Sequence, residues 1–460
     1  MKNVFKRSKL SFLTCLLYSV GILFLTGCFQ EDIQEQVISQ EVPSEQIQRA
    51  FIQFGSNFPI DKLNQEQIEQ KYQEMVRNIP EEHRVRLIEL IEEGLSKSPN
   101  YSRNSIAAKK SESLLSNGVS DDGFGIGVAT AGNKVYVGAN NTQEVFEYAK
   151  TGGTYNLVNT ITPSVPTEDF GYNVAVSGNW LAVAAPEYGP PYPSGEGKIF
   201  MFQKQADGSW AEHSILTAPI AGDHLGGDGI ALKGDQLIAT KRNFVFPSPG
   251  GDIEVFNLSG NTWISTGTIH KAGYDWVSVD MDNNGDRIIG TGAINQSFVT
   301  IFATIFVKTP SGWVEEDEVV ITPPNPFSIV FPRDVAIQNG TAVLTAVIPG
   351  TIHWVLKNDG GDWSVDQELK IPADVIANRW TAMHGSNILI GVSSFASYSS
   401  DKVYVFKKKG SAYNLTETLN PADEGADVIM SDLAMDGNTI VVGATRAAGT
   451  TVPGKTYVFD

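Results

Sequence analysis

One phrase of the sequence returns about every fifty residues from Phe124 onward. It consists of a small-residue turn followed by a short apolar strand, as in residues 132–138, 178–184 and 437–443. Weaker copies begin at Gly234, Gly285, Asn339 and Gly385. These copies number seven. Because a unit of this length cannot bury its own apolar faces, the repeat predicts units packed side by side, which in an all-strand chain is a propeller.

The second repeat shows how one unit folds. Residues 170–176 and 181–184 form two apolar strands around a Ser-Gly-Asn turn, residues 199–202 form an aromatic third strand, and residues 210–216 form an outer strand. Four antiparallel strands make one propeller blade. We therefore predict an all-β fold, a seven-bladed β-propeller of four-stranded antiparallel blades, over residues 111–460.

Two further features predict how the blades pack and how the ring closes. An aromatic residue opens the outer strand of six repeats, and such a periodic aromatic is expected to pack between neighbouring blades. These residues are Tyr155, Trp210, Trp263, Trp313, Trp363 and Tyr413. The seventh repeat has no outer strand after residues 456–459. The isolated strand at residues 111–116 is expected to pair with them, since an unpaired edge invites aggregation.

The dipeptides Phe124-Gly125 and Phe170-Gly171, each followed by an apolar strand, resemble the FG-GAP repeat of integrin α-subunit propellers and many bacterial surface proteins. The resemblance covers roughly residues 111–460 and is strongest in the first two blades. In the fourth blade the corresponding dipeptide is Tyr274-Asp275. The resemblance implies an integrin-like propeller that acts as a binding or adhesion module.

Integrin-type blades often hold calcium in a hairpin with alternating Asp or Asn and a Gly, and one segment matches that pattern. Its oxygen ligands would be Asp280, Asp282 and Asn284, beside Gly285. A hairpin turn rich in Asn, Asp and Gly has the same composition, so both interpretations stay open. No other cofactor is expected.

The N-terminus has the features of a bacterial lipoprotein signal. Basic residues precede an apolar run that is short for a membrane-spanning helix, so residues 1–27 are interpreted as a signal peptide. Leu25-Thr26-Gly27-Cys28 resembles a lipobox, which implies that Cys28 is acylated and anchors the chain. The acidic residues 28–43 are predicted to form a disordered tether. They also resemble the surface-export signals of Bacteroidetes lipoproteins, which implies an outer-membrane, surface-exposed protein.

Residues 44–100 change to a helical period. Apolar residues recur at helical spacing, with Gly55 and Gly94 as stop signals, which predicts a small amphipathic helical segment. Such a segment is either a spacer that lifts the propeller off the membrane or a docking domain for a partner.

Charge and cysteine content limit the chemistry. The chain has 52 acidic and 34 basic residues, a formal net charge of −18, so it is expected to avoid nucleic acid and to reach a membrane through lipid only. Of the two cysteines, Cys15 lies in the signal peptide and Cys28 is the acylation site, which excludes disulfides and thiol catalysis. The histidines are scattered without a catalytic motif, so no catalytic residue is assigned.

The leading hypothesis is a lipid-anchored, non-enzymatic cell-envelope module that binds a protein or glycan through the variable loops at one end of the ring. Exposed aromatics beside Pro and Gly are the candidate ligand-binding residues: Tyr188, Tyr192, Phe244, Phe246, Phe395 and Tyr398. One alternative is a carbohydrate-active enzyme that uses acids at the propeller mouth: Asp121, Asp122, Asp169, Asp223, Asp228, Asp374, Asp423 and Asp427. A second alternative is a scaffold subunit of an envelope complex.

Overall fold

The computed structural model describes residues 112–187, 195–218, 222–241, 251–294, 300–321, 331–347, 352–371, 377–394, 401–421, 428–446 and 452–460. The chain divides into two units, Met1–Lys110 and Ser111–Asp460, and all the described residues belong to the second. The predicted signal peptide, tether and helical segment therefore lie outside the described residues. Within the described ranges, every regular element is a β-strand.

Twenty-eight strands are described. The first is β1 (Glu112–Leu115). Blades one to three comprise β2 (Phe124–Ala131), β3 (Lys134–Ala139), β4 (Glu144–Thr151), β5 (Thr154–Ile161), β6 (Asn173–Ser177), β7 (Trp180–Ala185), β8 (Lys198–Lys204), β9 (Trp210–Thr217), β10 (Ile230–Lys233), β11 (Gln236–Lys241), β12 (Asp252–Ser259) and β13 (Thr262–His270). Blades four to seven comprise β14 (Tyr274–Met281), β15 (Arg287–Ile294), β16 (Ile301–Thr309), β17 (Gly312–Ile321), β18 (Phe331–Gln338), β19 (Thr341–Val347), β20 (Ile352–Asp359), β21 (Asp362–Lys370), β22 (Ala377–His384), β23 (Asn387–Ser394), β24 (Lys402–Lys409), β25 (Ala412–Leu419), β26 (Val428–Asp436), β27 (Thr439–Arg446) and β28 (Lys455–Phe459).

These strands form seven four-stranded antiparallel sheets. Six sheets use four consecutive strands, and the seventh has the order β1-β28-β27-β26. The predicted fold and blade count are confirmed. A short turn after each first strand and an aromatic third strand recur in the sequence, so each blade forms from neighbouring segments of the chain.

The ring closes where its first and last strands pair. In β1, Glu112 pairs with Phe459 and Leu115 pairs with Thr456, in antiparallel register. An isolated bridge between Ser120 and Pro453 adds to this junction. The predicted closure is confirmed, and it leaves neither strand with an unpaired inner edge.

The Phe-Gly dipeptide has a packing role in the second blade. The ring of Phe170 is fully buried and packs against Phe200 and Phe202 of its own blade, with centroids 5.2 and 6.1 Å away. Gly171 has a φ of 97°, and a Cβ there would lie 2.9 Å from the carbonyl oxygen of Glu144 in the first blade. Phe thus fills the blade core, whereas Gly lets the backbone of the preceding blade approach.

The periodic aromatics lie between blades, as predicted. Trp263 of the third blade packs edge-on against Trp180 of the second, with ring centroids 5.3 Å apart. Trp363 of the fifth blade donates its indole N–H to Glu316 of the fourth, at 2.9 Å. Tyr155 of the first blade donates its hydroxyl to Asp460 of the seventh, at 3.1 Å. The interpretation of these aromatics as contacts between neighbouring blades is confirmed.

The two ends of the ring differ. At one end, which we call the turn end, eleven of thirteen connections within blades have two residues. Asn339 and Gly340, for example, have φ values of 51° and 69°, the conformation of a type I′ turn. At the other end, the loop end, fourteen connections join second to third strands and one blade to the next, and they have three to twelve residues. Most of the variation in chain length therefore lies at the loop end.

Candidate functional site

The six aromatics predicted to bind a ligand belong to connections of the loop end. All six lie outside the described residues, so their role stays a prediction: Tyr188, Tyr192, Phe244, Phe246, Phe395 and Tyr398. The strand ends that flank these connections are described.

The stem of the connection that contains Tyr188 and Tyr192 is closed. A Cβ at Gly195 would lie 2.1 Å from the carbonyl oxygen of Glu187. The incoming chain, which enters the connection at Glu187, and the outgoing chain, which leaves it at Gly195, are therefore in direct contact. The Lys198 ammonium forms an ion pair with the Glu187 carboxylate across the same stem. Glu187 and Gly195, which flank residues 188–194, therefore lie side by side on the ring.

The same stem is bonded to the loop that enters the third blade. Gly222 donates its backbone N–H to the carbonyl oxygen of Gly195, at 2.9 Å, and Leu225 donates to Glu196, at 3.2 Å. Between Gly222 and Leu225 in the chain, His224 has a buried ring whose Nδ1 lies 2.9 Å from the carbonyl oxygen of Pro186. Because a carbonyl oxygen only accepts, Nδ1 is the donor.

The loop end of the first blade is bonded in a similar way. Asn140 donates its side-chain amide to the Asp169 carboxylate, at 3.2 Å. The N–H of Thr167 donates to the Gln143 side chain, at 3.0 Å, and the N–H of Asn141 donates to the carbonyl oxygen of Asp122, at 3.0 Å. The connection at residues 140–143 is thus hydrogen-bonded to the loops on both of its sides.

The acids proposed for the propeller mouth have different environments. Asp122 is buried and accepts the N–H of Phe124 at 3.0 Å, as a turn cap does. Asp121 and Asp169 have left-handed backbones, with φ near 64° and 63°, and Asp228 donates its N–H to Thr240. Asp374, Asp423 and Asp427 lie outside the described residues.

Asp223 belongs to a charged cluster at the loop end of the third blade. The Lys241 ammonium lies 3.0 Å from Glu254 and 3.7 Å from Asp252. Burial raises the pKa of Asp223, and the charge of Lys241 opposes that shift. Burial would also raise the pKa of Glu254, but hydrogen bonds from Ser265, Thr268 and Lys241 hold it below its ordinary value. Neighbouring carboxyls with opposite pKa shifts are typical of acid–base pairs, and also of structural ion pairs.

The candidate calcium residues bond to the fifth blade. The Asp280 carboxylate accepts the backbone N–H groups of Met281 and Ile337, at 2.8 and 2.9 Å. The Asp282 carboxylate accepts the N–H of Asn339, at 2.9 Å, and Asn284 lies exposed in the turn. Calcium requires six to eight oxygen ligands. No group of three acidic, His or Cys side chains suited to a metal occurs among the described residues. The described contacts of Asp280 and Asp282 thus link the fourth blade to the fifth, and the calcium site stays a prediction.

Two further carboxylates of inner strands were missed by the sequence analysis. Asp334 of the fifth blade accepts the N–H of Thr381 in the sixth, at 2.7 Å. Asp432 of the seventh blade accepts the N–H of Val128 in the first, also at 2.7 Å. Burial raises the pKa of Asp334 to about 6 and that of Asp432 to about 7, and the charge of Asp334 adds to the second shift. Both aspartates lie five residues before the first residue of the next turn, Asn339 or Gly437, and this shared spacing could have identified them from the sequence.

Comparisons with known proteins concern the architecture. No protein-family model and no curated protein sequence matches the chain. A chain in a crystal structure of a mitotic checkpoint complex is similar over 75% of this chain and 94% of its own length, with a TM-score of 0.50 and 12% identity. A protein from Lactobacillus plantarum is similar over 64% of this chain and 84% of its own, with a TM-score of 0.47 and 12% identity.

The blade count, the antiparallel order of each sheet and the paired ends decide the architecture. The chain is a seven-bladed β-propeller. At 12% identity, a structural similarity concerns the fold alone. Among the described residues, no helix has the length and hydrophobicity to cross a membrane.

Proposed function

We propose that this propeller is a binding module of the bacterial cell envelope, held on the outer membrane by acylated Cys28 and able to bind a protein or glycan through its loop end. One observation carries the proposal. Short turns occupy the turn end, whereas connections of up to twelve residues, which include the six candidate aromatics, occupy the loop end. A rigid scaffold that concentrates variable loops on one face is typical of binding proteins.

The closing strand β1 shows at which end of the ring the described chain begins. Glu112 pairs with Phe459, the last residue of β28, which runs from the loop end to the turn end. The chain that precedes Glu112 therefore joins the ring at its turn end. Glu112 thus lies at the end of the ring opposite the proposed binding face.

The lipid anchor is tested by metabolic labelling. Cells expressing the chain are grown with a radiolabelled fatty acid, and the wild type is compared with Cys28→Ala. We expect the wild type, but not Cys28→Ala, to carry the label. We also expect protease added to intact cells to digest the wild-type protein. Equal labelling of the two proteins would refute the anchor, and protection from protease would refute surface exposure.

Binding is tested with the Cys28→Ala protein, which lacks the acyl chains. It is applied to a glycan array and cross-linked to envelope proteins, beside a variant with alanine at Tyr188, Tyr192, Phe395 and Tyr398. We expect specific capture that the fourfold variant loses while its thermal midpoint is unchanged. Capture that survives the four substitutions would show that these aromatics are not the site.

A carbohydrate-active enzyme is the second candidate, and the opposite pKa shifts of Asp223 and Glu254 beside Lys241 favour it. The test is release of reducing sugar from the glycans that the protein captures. Under this candidate, Asp223→Asn and Glu254→Gln would each abolish release. Binding without release from any captured glycan would leave the binding module as the function.

A further inference from the structure

One of the scattered histidines, His224, lies at the stem of a twelve-residue connection of the loop end. His224 directly precedes Leu225, which occupies the Phe position of the third repeat. Its side chain is buried, and its backbone is left-handed, with a φ of 42°. A non-glycine residue held in this region is strained, and the surrounding contacts must maintain it.

His224 contacts both ends of the connection that contains residues 188–194. Its ring donates from Nδ1 to the carbonyl oxygen of Pro186, on the incoming side, at 2.9 Å. Its backbone N–H points to the carbonyl oxygen of Gly195, on the outgoing side, at 3.4 Å. A Cβ at Gly197 would lie 2.7 Å from the carbonyl carbon of His224, so the outgoing chain also rests on this residue.

The preceding junction repeats the arrangement with different chemistry. Asp169 is the residue before Phe170, its φ is 63°, and its carboxylate accepts from Asn140 in the second-to-third-strand connection of the blade before it. At the corresponding place, Gly123 and Gly273 also have positive φ values, of 74° and 83°. A left-handed residue at this point thus recurs, and in two junctions its side chain reaches back to the loop of the preceding blade.

We infer that His224 is a positioning residue of the loop end, which holds Pro186 and Gly195, at the two ends of the connection that contains Tyr188 and Tyr192, together. This inference rests on the proposed function for its biological meaning, since Tyr188 and Tyr192 are the binding residues proposed there. Asp169 has the same role for the connection at residues 140–143.

The test is hydrogen–deuterium exchange of the whole protein, read at the stem amides. Gly222 and Leu225 donate their N–H groups to the outgoing chain, so their protection reports whether the stem is closed. His224→Gly removes the side chain and tolerates the left-handed backbone. We expect about tenfold faster exchange at these two amides, as loss of one buried hydrogen bond would produce.

Two comparisons separate positioning from general destabilisation. His224→Asn tolerates a positive φ and keeps an amide donor for Pro186, so it should restore most of the protection. Asp207→Gly removes a turn cap at the opposite end, where Asp207 accepts from Ser209, and should leave the stem unchanged. Unaltered exchange in His224→Gly, or equal acceleration in Asp207→Gly, would overturn the inference.

A folding failure of His224→Gly would not end the test. Asp169→Gly poses the same question at the amide of Asn141, and unchanged exchange there would overturn the inference. The exchange test can also be distinguished from the capture test of the proposed function. A stem opened by His224→Gly in a protein that captures no glycan or envelope protein would refute the proposed function alone.

Discussion

Glu147 offers the sharpest test of how neighbouring blades are joined. Its side chain is fully buried and accepts four donors, from Lys134, Asn159, Tyr136 at 3.2 Å and Trp210 of the second blade at 3.0 Å. Glu147→Gln keeps the shape but offers one acceptor oxygen, so about two donors lose their partner. At roughly 1–3 kcal/mol for each buried donor left unsatisfied, we expect the free energy of unfolding to fall by about 3 kcal/mol.

The loss should depend on pH. Burial alone would raise the pKa of Glu147, but hydrogen bonds from Lys134, Asn159 and Trp210 and the charge of Lys134 lower it below 4.5. A lowered folded-state pKa stabilises the protein above the unfolded value, and this stabilisation disappears as the pH falls through the folded value. The difference in the free energy of unfolding between wild type and Glu147→Gln should therefore be largest near pH 7 and shrink below about pH 4.

Chemical denaturation followed by tryptophan fluorescence measures both effects. Glu368→Gln is the matched control, because Glu368 is exposed on an outer strand and its substitution should change stability by less than about 0.5 kcal/mol. Equal midpoints for Glu147→Gln and Glu368→Gln, or a difference that does not vary with pH, would refute the role assigned to the buried carboxylate.

Two further predictions concern the inner strands and the closing strand. The raised pKa of Asp432, about 7, means that the folded state holds a proton that the unfolded state releases near pH 4, so this residue should lower stability as the pH rises from about 4 to about 7. At about 1.4 kcal/mol per pKa unit, Asp432→Asn should remove on the order of 4 kcal/mol of that pH dependence in urea titrations, and parallel pH profiles for the two proteins would contradict the assignment. Ser113→Pro should weaken the pairing of β1 with Val458 and lower the thermal midpoint by several degrees. The same substitution at exposed Ser311, in the turn before β17, serves as the comparison, and equal midpoints would show that β1 does not close the ring.

The sequence predicted the architecture because the information lies in local spacing. The turn at Gly178, the apolar strand after it and the aromatic at Trp210 belong to one blade, and their order repeats along the chain. The closing strand was predictable for the same reason, since Leu115 precedes Gly125 by the offset that separates Ile161 from Gly171.

The fourth blade shows where local spacing misleads. The sequence aligns Tyr274-Asp275 with the Phe-Gly dipeptide, but the fully buried ring is that of Trp276, which packs against Phe302 and Phe306 with centroids 6.2 and 5.8 Å away. Half-buried Tyr274 also packs against Phe302, at 5.1 Å, but the fully buried ring lies two residues later, next to a register shift between Trp276 and Ser278. Such a bulge leaves no reliable mark in a single sequence.

The sequence by itself determined that this chain is a ring of seven similar sheets, and at which end its variable connections lie. The tertiary structure decided which polar residues join the blades, because their partners are remote in the chain. Asp432 and Val128, for example, are 304 residues apart. Asp280, a calcium candidate in the sequence, accepts the backbone N–H of Ile337 in the fifth blade. A carboxylate at a given repeat position has the same local sequence whether it faces water, a metal or the backbone of the next blade, and only packing distinguishes these environments.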